Sequence, residues 1–433
     1  MLITFALLLL LPCFTAAQKR GKVTSPLQVT ASTSLPHTTS AISEFMPHVS
    51  AKAIAYQRTS RWLAITGKIW YLLGLWLFLA SGVAAKMQSS VRWTLHGRSD
   101  LVVRSLPPSL FQIVAYITAF AITMWIWQLP FDLGFIWLEK HYGFGTQSIL
   151  GYVWDSVRGI IFQAPAALLY RAGYEMLYRN PLRWWMPTWG LGSAGLLFLF
   201  VIQPMWLAPM FNHYSSLPAS PIRQAISELA RNAGIAHAEI LVENTSIRSK
   251  HVNAYVTGIG PSARIVINDT TLAALPQDQI LAMVGHEIGH YKGRHPMLLL
   301  GSSIVGLGMF LWCLALVIDS DWFNYKWGIH SNYDLIMLPA ISLAAAIFLF
   351  VQAPIESGIS RNLERRADDY GLHLVNEPEA TARLMAGFAE RDLADPDPPM
   401  ILQFWYGSHP TLHERITTAL EYRDRHINAG QSR

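Results

Sequence analysis

The stretch GHEIGHYKGRH, Gly285–His295, decides how this chain is read. It follows LPQDQILAMV, and together the two read as one helix. Pro276 stands near the first turn, Asp278 complements the positive N-terminal end of the helix dipole, and Gly293 is a stop. On such a helix His286 and His290 are one turn apart and project from one face. Glu287 follows the first histidine, placed to take the proton of an attacking water. This is the HExxH arrangement of zincins, in which two neutral imidazoles grip a metal and a carboxylate acts as general base. The pattern is short and also arises by chance, so the rest of the chain has to supply the missing ligand.

A metzincin would continue HExxHxxGxxH. Gly293 fits, but the next required position is Pro296, and His295 comes one residue early. His295 is therefore expected outside the metal site, solvated or interfacial. The other common solution is a distant glutamate on a second helix. SRNLERRADDYGLHL (360–374) offers Glu364 as third ligand, with Asp368 four residues on to accept the free N–H of a ligand imidazole. The same segment also reads as a surface helix laced with ion pairs to Arg361, Arg365 and Arg366. The residues alone leave both readings open.

Around this motif the composition is that of a membrane protein. Of 433 residues 52% are hydrophobic and only 14% are charged, against about 25% charged in soluble domains. Such a chain cannot cover its surface with water-compatible groups. The net charge of +5 comes from scattered Arg and Lys with no basic run, which argues against a nucleic-acid partner. Cys13 and Cys313 both lie in apolar runs, so neither a disulfide framework nor a thiolate zinc site is expected.

Residues 1–17 form a signal-like apolar segment ending in Thr15, Ala16 and Ala17; a short first membrane helix is the alternative. Residues 18–62, rich in Ser, Thr, Ala and Pro, are expected to be flexible. A span needs about 20 apolar residues, and six stretches qualify: 63–85, 110–131, 149–170, 186–207, 297–318 and 335–354. The third is the weakest, since it holds Asp155 and Arg158, which can pair at i, i+3. Residues 63–208 thus carry N-terminal transmembrane helices and 297–354 two more. A catalytic domain occupies 209–296, and its C-terminal helical part, with the third ligand, occupies 355–433. Within 209–296 a capped helix ending at Gly234 precedes short strands at 238–244, 253–258 and 263–269. The expected fold is a predominantly α-helical multi-pass membrane protein, of six or seven transmembrane helices, with a zincin-like catalytic domain containing a small β-sheet.

Four motifs occur in order: RSKHVNAYVTG (248–258), GHEIGHYKGRH, SRNLERRAD (360–368) and SHPTLHERI (408–416). On these the chain, from about residue 50 to about residue 425, resembles the type I CAAX prenyl endopeptidases, integral-membrane zinc metalloproteases of gluzincin type. The resemblance implies one Zn2+ per chain held by His286, His290 and Glu364, with Glu287 as general base. It implies that Asp368 handles protons or supports a ligand, and that His409 and Arg415 stabilise the oxyanion and the catalytic framework. It further implies that Asn253 lies on an edge strand that holds the substrate backbone. His409 alone reads equally well as a structural loop histidine. His413, four residues on, suggests a second metal grip, but Pro410 leaves His409 outside the helix.

The implied substrate is a peptide or protein, with a lipidated C-terminus as one option, reached from the bilayer. Two other readings are carried. One is a quality-control zinc protease for membrane proteins; the other is a metal-binding transporter, which gives Glu287 no role. Family topology puts the site in the cytoplasm, in the plasma or inner membrane or the endoplasmic reticulum according to source. Arg-bearing loops at 86–106 and 171–185, with a cleaved signal, would instead put 209–296 outside.

Overall fold

The computed structural model describes residues 44–96, 108–163, 166–318, 320–329 and 334–431. The expectations for 1–17, and for 18–62 as far as residue 43, lie outside these residues. Helix α1 (Ala51–Ala80) begins inside the stretch expected to be flexible. Ser50 caps it, its hydroxyl accepting the Ala53 N–H at 3.1 Å. Tyr56 and Gln57 are buried in its first turns by residues far along the chain, which hydropathy does not register.

Helices α2 (Val83–His96), α3 (Leu110–His141), α4 (Ile149–Ile161), α5 (Ala166–Arg179) and α6 (Trp185–Ile202) follow. A loosened continuation runs from α6 to Met210, where Pro204 cannot donate to the helix ladder. Among the described residues, five helices are long and apolar enough to cross a bilayer: α1, α3, α6 to Met210, α10 (His295–Ile318) and α12 (Met337–Val375). The stretch at 149–170 is not one helix but two, α4 and α5, and the sequence between them holds Pro165. At 13 residues α4 is about 20 Å long, short of the ~30 Å hydrocarbon core. The expected i, i+3 pair of Asp155 and Arg158 forms at 3.5 Å, and Asp155 also lies 3.0 Å from Arg248 Nε.

Close contacts tie α1 to α3. Trp70 and Trp127 stack at 4.2 Å, and each indole N–H donates to the other's backbone carbonyl at 2.7 Å. A side chain at Gly74 would strike the Trp127 ring. On α10 the residues Val305, Met309, Trp312 and Leu316 are exposed at helical spacing, a stripe suited to lipid.

The second half is built on a four-stranded sheet of β1 (Tyr214–Ser216), β2 (Glu239–Glu243), β3 (Ala254–Thr257) and β4 (Arg264–Asn268). Its order is β1-β2-β4-β3, with β2 and β4 parallel and the outer pairs antiparallel. The strand β1 had no counterpart in the sequence pattern. Helix α7 (Pro221–Asn232) falls between β1 and β2 in the chain, and α8 (Asp269–Ala274) and α9 (Gln277–Lys292) follow β4. After α10 come α11 (Asp321–Trp327), α12, α13 (Pro378–Glu390), α14 (Met400–Tyr406) and α15 (Leu412–Gln431). Ile226, Ile265, Ile267, Ile288 and Ile416, all at 0% exposure, join sheet, α7, α9 and α15 in one core.

Candidate metal centre

The centre forms where α9 meets the polar end of α12. Their backbones approach closely because the contact is lined by small residues. A Cβ on Gly289 would lie 2.8 Å from the Ala367 carbonyl oxygen, and one on Gly371 would lie 2.9 Å from the His286 nitrogen. Gly285 faces Val375 in the same way. The glycines of the opening motif thus serve the face of α9 that packs on α12, while the adjacent histidines project into the site.

His286 Nε2 and His290 Nε2 are 3.1 Å apart, and Glu364 presents one oxygen to each at 3.3 Å. These three side chains offer one donor atom apiece, all within 4.8 Å of one another, and no other such group occurs among the described residues. Glu364 is 6% exposed, and its Oε2 is buried without a hydrogen-bond partner. Two imidazole nitrogens and a carboxylate converging on one point, with one oxygen orphaned, fit a divalent cation. Burial works against charge on His286, but Asp368 and then Glu364 outweigh it and raise its pKa to about 10. The negative surroundings that hold that proton are those that would hold a divalent metal.

Glu287 lies beside the donors, with its carboxylate 4.0 Å from His286 Nε2. Burial pushes its pKa up. Asp368 Oδ1 is 2.8 Å from His286 Nδ1, so the carboxylate can accept that N–H and leave Nε2 free. Arg415 holds Asp368 through both oxygens, at 2.9 and 2.5 Å, and approaches His286 Nδ1 at 3.3 Å. Arg415 and Asp368 are both buried.

His409 Nε2 stands 3.3 Å from Glu364 Oε1, half-exposed on the cleft. The turn that carries it ends at a capping box: Thr411 accepts the Glu414 N–H at 3.0 Å, and Glu414 accepts the Thr411 N–H at 2.8 Å. Helix α15 therefore starts at Leu412, with His409 outside it and Arg415 in its first turn. His413 is exposed, and it is no part of the donor group.

A cleft leads from the donors past Asn253, Met283, Leu384 and Phe388. Asn253 immediately precedes the edge strand β3. Its own N–H donates to Thr271 Oγ1 and its carbonyl accepts from Asn268 N–H, so its backbone is turned toward β4 and α8. Antiparallel alternation then turns the backbone groups of Ala254 toward the open edge.

Three positions at or near the site have contacts that sequence reasoning missed. His295 is not solvated; it is 2% exposed, with Nδ1 3.0 Å from His290 Nδ1. Arg361, read as one of several surface arginines, donates to the carbonyls of Gln403 and Gly407 at 2.7 Å and so orders the turn before His409. His251 joins the two halves: its ring bonds Glu139 of α3 at 3.1 Å and Asp392 at 3.0 Å, and stacks on Phe144. The motif RSKHVNAYVTG marks the neighbourhood of His251; no spacing rule in the sequence points to its partners.

A helical membrane scaffold carrying an HExxH helix and a glutamate helix defines a class, the membrane-integrated metallopeptidases. The description "Peptidase family M48" matches residues 216–423, and "CAAX prenyl protease N-terminal, five membrane helices" matches residues 27–213. The chain is 30% identical to the uncharacterized metalloprotease YhfN of Bacillus subtilis, over 81% of this chain and 80% of that one. It is 29% identical to CAAX prenyl protease 1 of Saccharomyces cerevisiae over 52% of this chain, and spans about half (55%) of that relative's length. The crystal structure of S. mikatae Ste24p superposes with a TM-score of 0.72 at 22% identity, covering 85% of this chain and 88% of that one, and shows the same fold. The chain belongs to peptidase family M48, in its type I CAAX protease branch, and is a multi-pass membrane metalloendopeptidase. A transporter reading has no support beside this.

Proposed function

We propose that the chain is a zinc endopeptidase in which His286, His290 and Glu364 hold the metal and Glu287 is the general base. The observation that carries this is the convergence of three donor atoms within 4.8 Å beside the half-buried Glu287 carboxylate, on a cleft that His286 and Glu287 line. Bound there, zinc would polarise the scissile carbonyl and lower the pKa of a water toward about 7. Glu287 takes the proton of the attacking water and passes it to the leaving amine. Asp368, fixed by Arg415, keeps the His286 proton on Nδ1. His409, on the open side of Glu364, donates to the developing oxyanion. The open edge of β3 beside Asn253 pairs with an extended substrate backbone.

For substrate we propose a membrane-associated protein cut near a prenylated C-terminus, at a site on the cytoplasmic side. Two things support this: the prenyl-protease names of the relatives, and a helix, α12, that runs from an apolar half straight into the site. A single peptide supplied with and without a farnesyl group, and mass spectrometry of the products, tests it. Faster cleavage of the farnesylated form is expected. Equal rates would remove the lipid requirement and transfer the support to the quality-control reading.

A further inference from the structure

We propose that His295 is a positioning residue that fixes the tautomer and ring plane of His290. The inference rests on the assignment of His290 as a metal ligand. His290 directs Nε2 at the donor group, 3.3 Å from Glu364 Oε1. A neutral imidazole that offers its Nε2 lone pair there must carry its proton on Nδ1. The Nδ1 of His295 lies 3.0 Å from that atom, and the two rings meet edge to face at 5.0 Å and 86°. His290 is then the donor and His295 the acceptor, which places the proton of His295 on its own Nε2.

The turn between α9 and α10 is shaped for this contact. Arg294 sits in the left-handed region at φ 53°, a conformation rare for a residue with a side chain. It turns the chain so that the His295 ring folds back over the end of α9. A Cβ on Gly293 would lie 2.2 Å from His295 Nε2, so the glycine is the floor on which the imidazole rests. His295 is 2% exposed there. The two ligand histidines are thus supported differently. His286 leans on the Asp368 carboxylate at 2.8 Å, whereas His290 leans on a neutral ring. A second carboxylate would add negative charge beside Glu364; a neutral acceptor orients the ligand without doing so.

The test uses the full chain in detergent, stripped of metal, with zinc alone as probe in chelator competition. His295→Phe keeps an aromatic ring and removes the acceptor, and should weaken zinc affinity about 10- to 100-fold, the usual effect of losing an outer-shell partner. His295→Asn restores an acceptor near the position of Nδ1 and should recover most of that loss. Gly293→Ala, which displaces the ring while leaving both histidines in place, should also weaken affinity; this variant decides the matter if His295→Phe does not fold. Unchanged zinc affinity in His295→Phe or Gly293→Ala, or an asparagine variant as weak as the phenylalanine one, would overturn the proposal. His290→Ala separates this from the site assignment. If it binds zinc as tightly as the unaltered chain, the ligand set itself is wrong; if it alone loses zinc, only the role of His295 fails.

Discussion

Helix α12 has two halves in two environments. From Met337 to Pro354 it is apolar, with Ile347, Phe350 and Val351 exposed on its surface. From Ile355 to Val375 it is polar and charged, yet Glu364 and Asp368 are buried. The first half turns apolar side chains outward, whereas the second buries two carboxylates among Leu363, Ala367 and Leu372. The first half exposes apolar groups because its solvent is lipid. The second hides carboxylates because each has cationic or imidazole partners: Glu364 has His286, His290 and His409, and Asp368 has Arg415 and His286. At 39 residues the helix is about 58 Å long, nearly twice the ~30 Å hydrocarbon core. The remaining length is what carries the third donor out of the bilayer to α9.

The polar half is the sensitive one. Glu364→Ala removes a donor and leaves the two histidines facing each other. Metal affinity should fall by more than the ~100-fold expected from losing an outer-shell partner, and peptidase activity should disappear with it; metal titration and a cleavage assay read both. Retention of stoichiometric, tight metal would mean that the carboxylate is structural.

An intermediate effect is expected where the two halves of the molecule are tied together. Burial disfavours charge on His251, but its bonds to Asp392 and Glu139 prevail and raise its pKa to about 9. Its stabilising contribution is therefore complete below the unfolded value of about 6.5, fades as pH rises, and is lost above about 9. The thermal midpoint in detergent should drop across that interval, and His251→Gln should flatten the dependence. A variant that keeps the full slope would place the titration elsewhere. The smallest effect belongs to the apolar half: Val351→Ala, at a side chain 65% exposed, should change stability by no more than about 0.5 kcal/mol. A large loss there would mean that this face is covered by protein instead of lipid.

Legibility in the sequence followed the range of the physics. The HExxH pair is local, one turn of one helix, whereas the helical face shared by Glu364 and Asp368 left a surface ion-pair helix equally open, and only the resemblance carried by four ordered motifs singled out Glu364. His295 was expected to be solvated because residue spacing does not encode the backbone turn that follows Gly293. The left-handed Arg294 swings the next ring back over the end of α9. Arg361 was passed over because its carbonyl partners lie 42 and 46 residues away in a turn. The stretch 149–170 has the hydropathy of a span, but Asp155 finds its closest cationic partner in Arg248, on the catalytic half, and α4 stops at Ile161. Gln57 of α1 likewise bonds the Leu393 carbonyl, and Arg61 pairs with Asp395, which explains order in a segment whose composition suggested none.

The central claim is that three side chains hold the metal while a fourth, Glu287, moves the proton. Glu287→Gln separates the two tasks in one substitution, since the amide keeps the shape and hydrogen-bonding reach of the carboxylate but cannot take a proton. Metal content and peptide cleavage should be measured on the same purified sample. Unchanged metal stoichiometry is expected, with cleavage reduced by about 10²–10⁴-fold, the range of general-base catalysis. Full cleavage by the glutamine variant would contradict the claim.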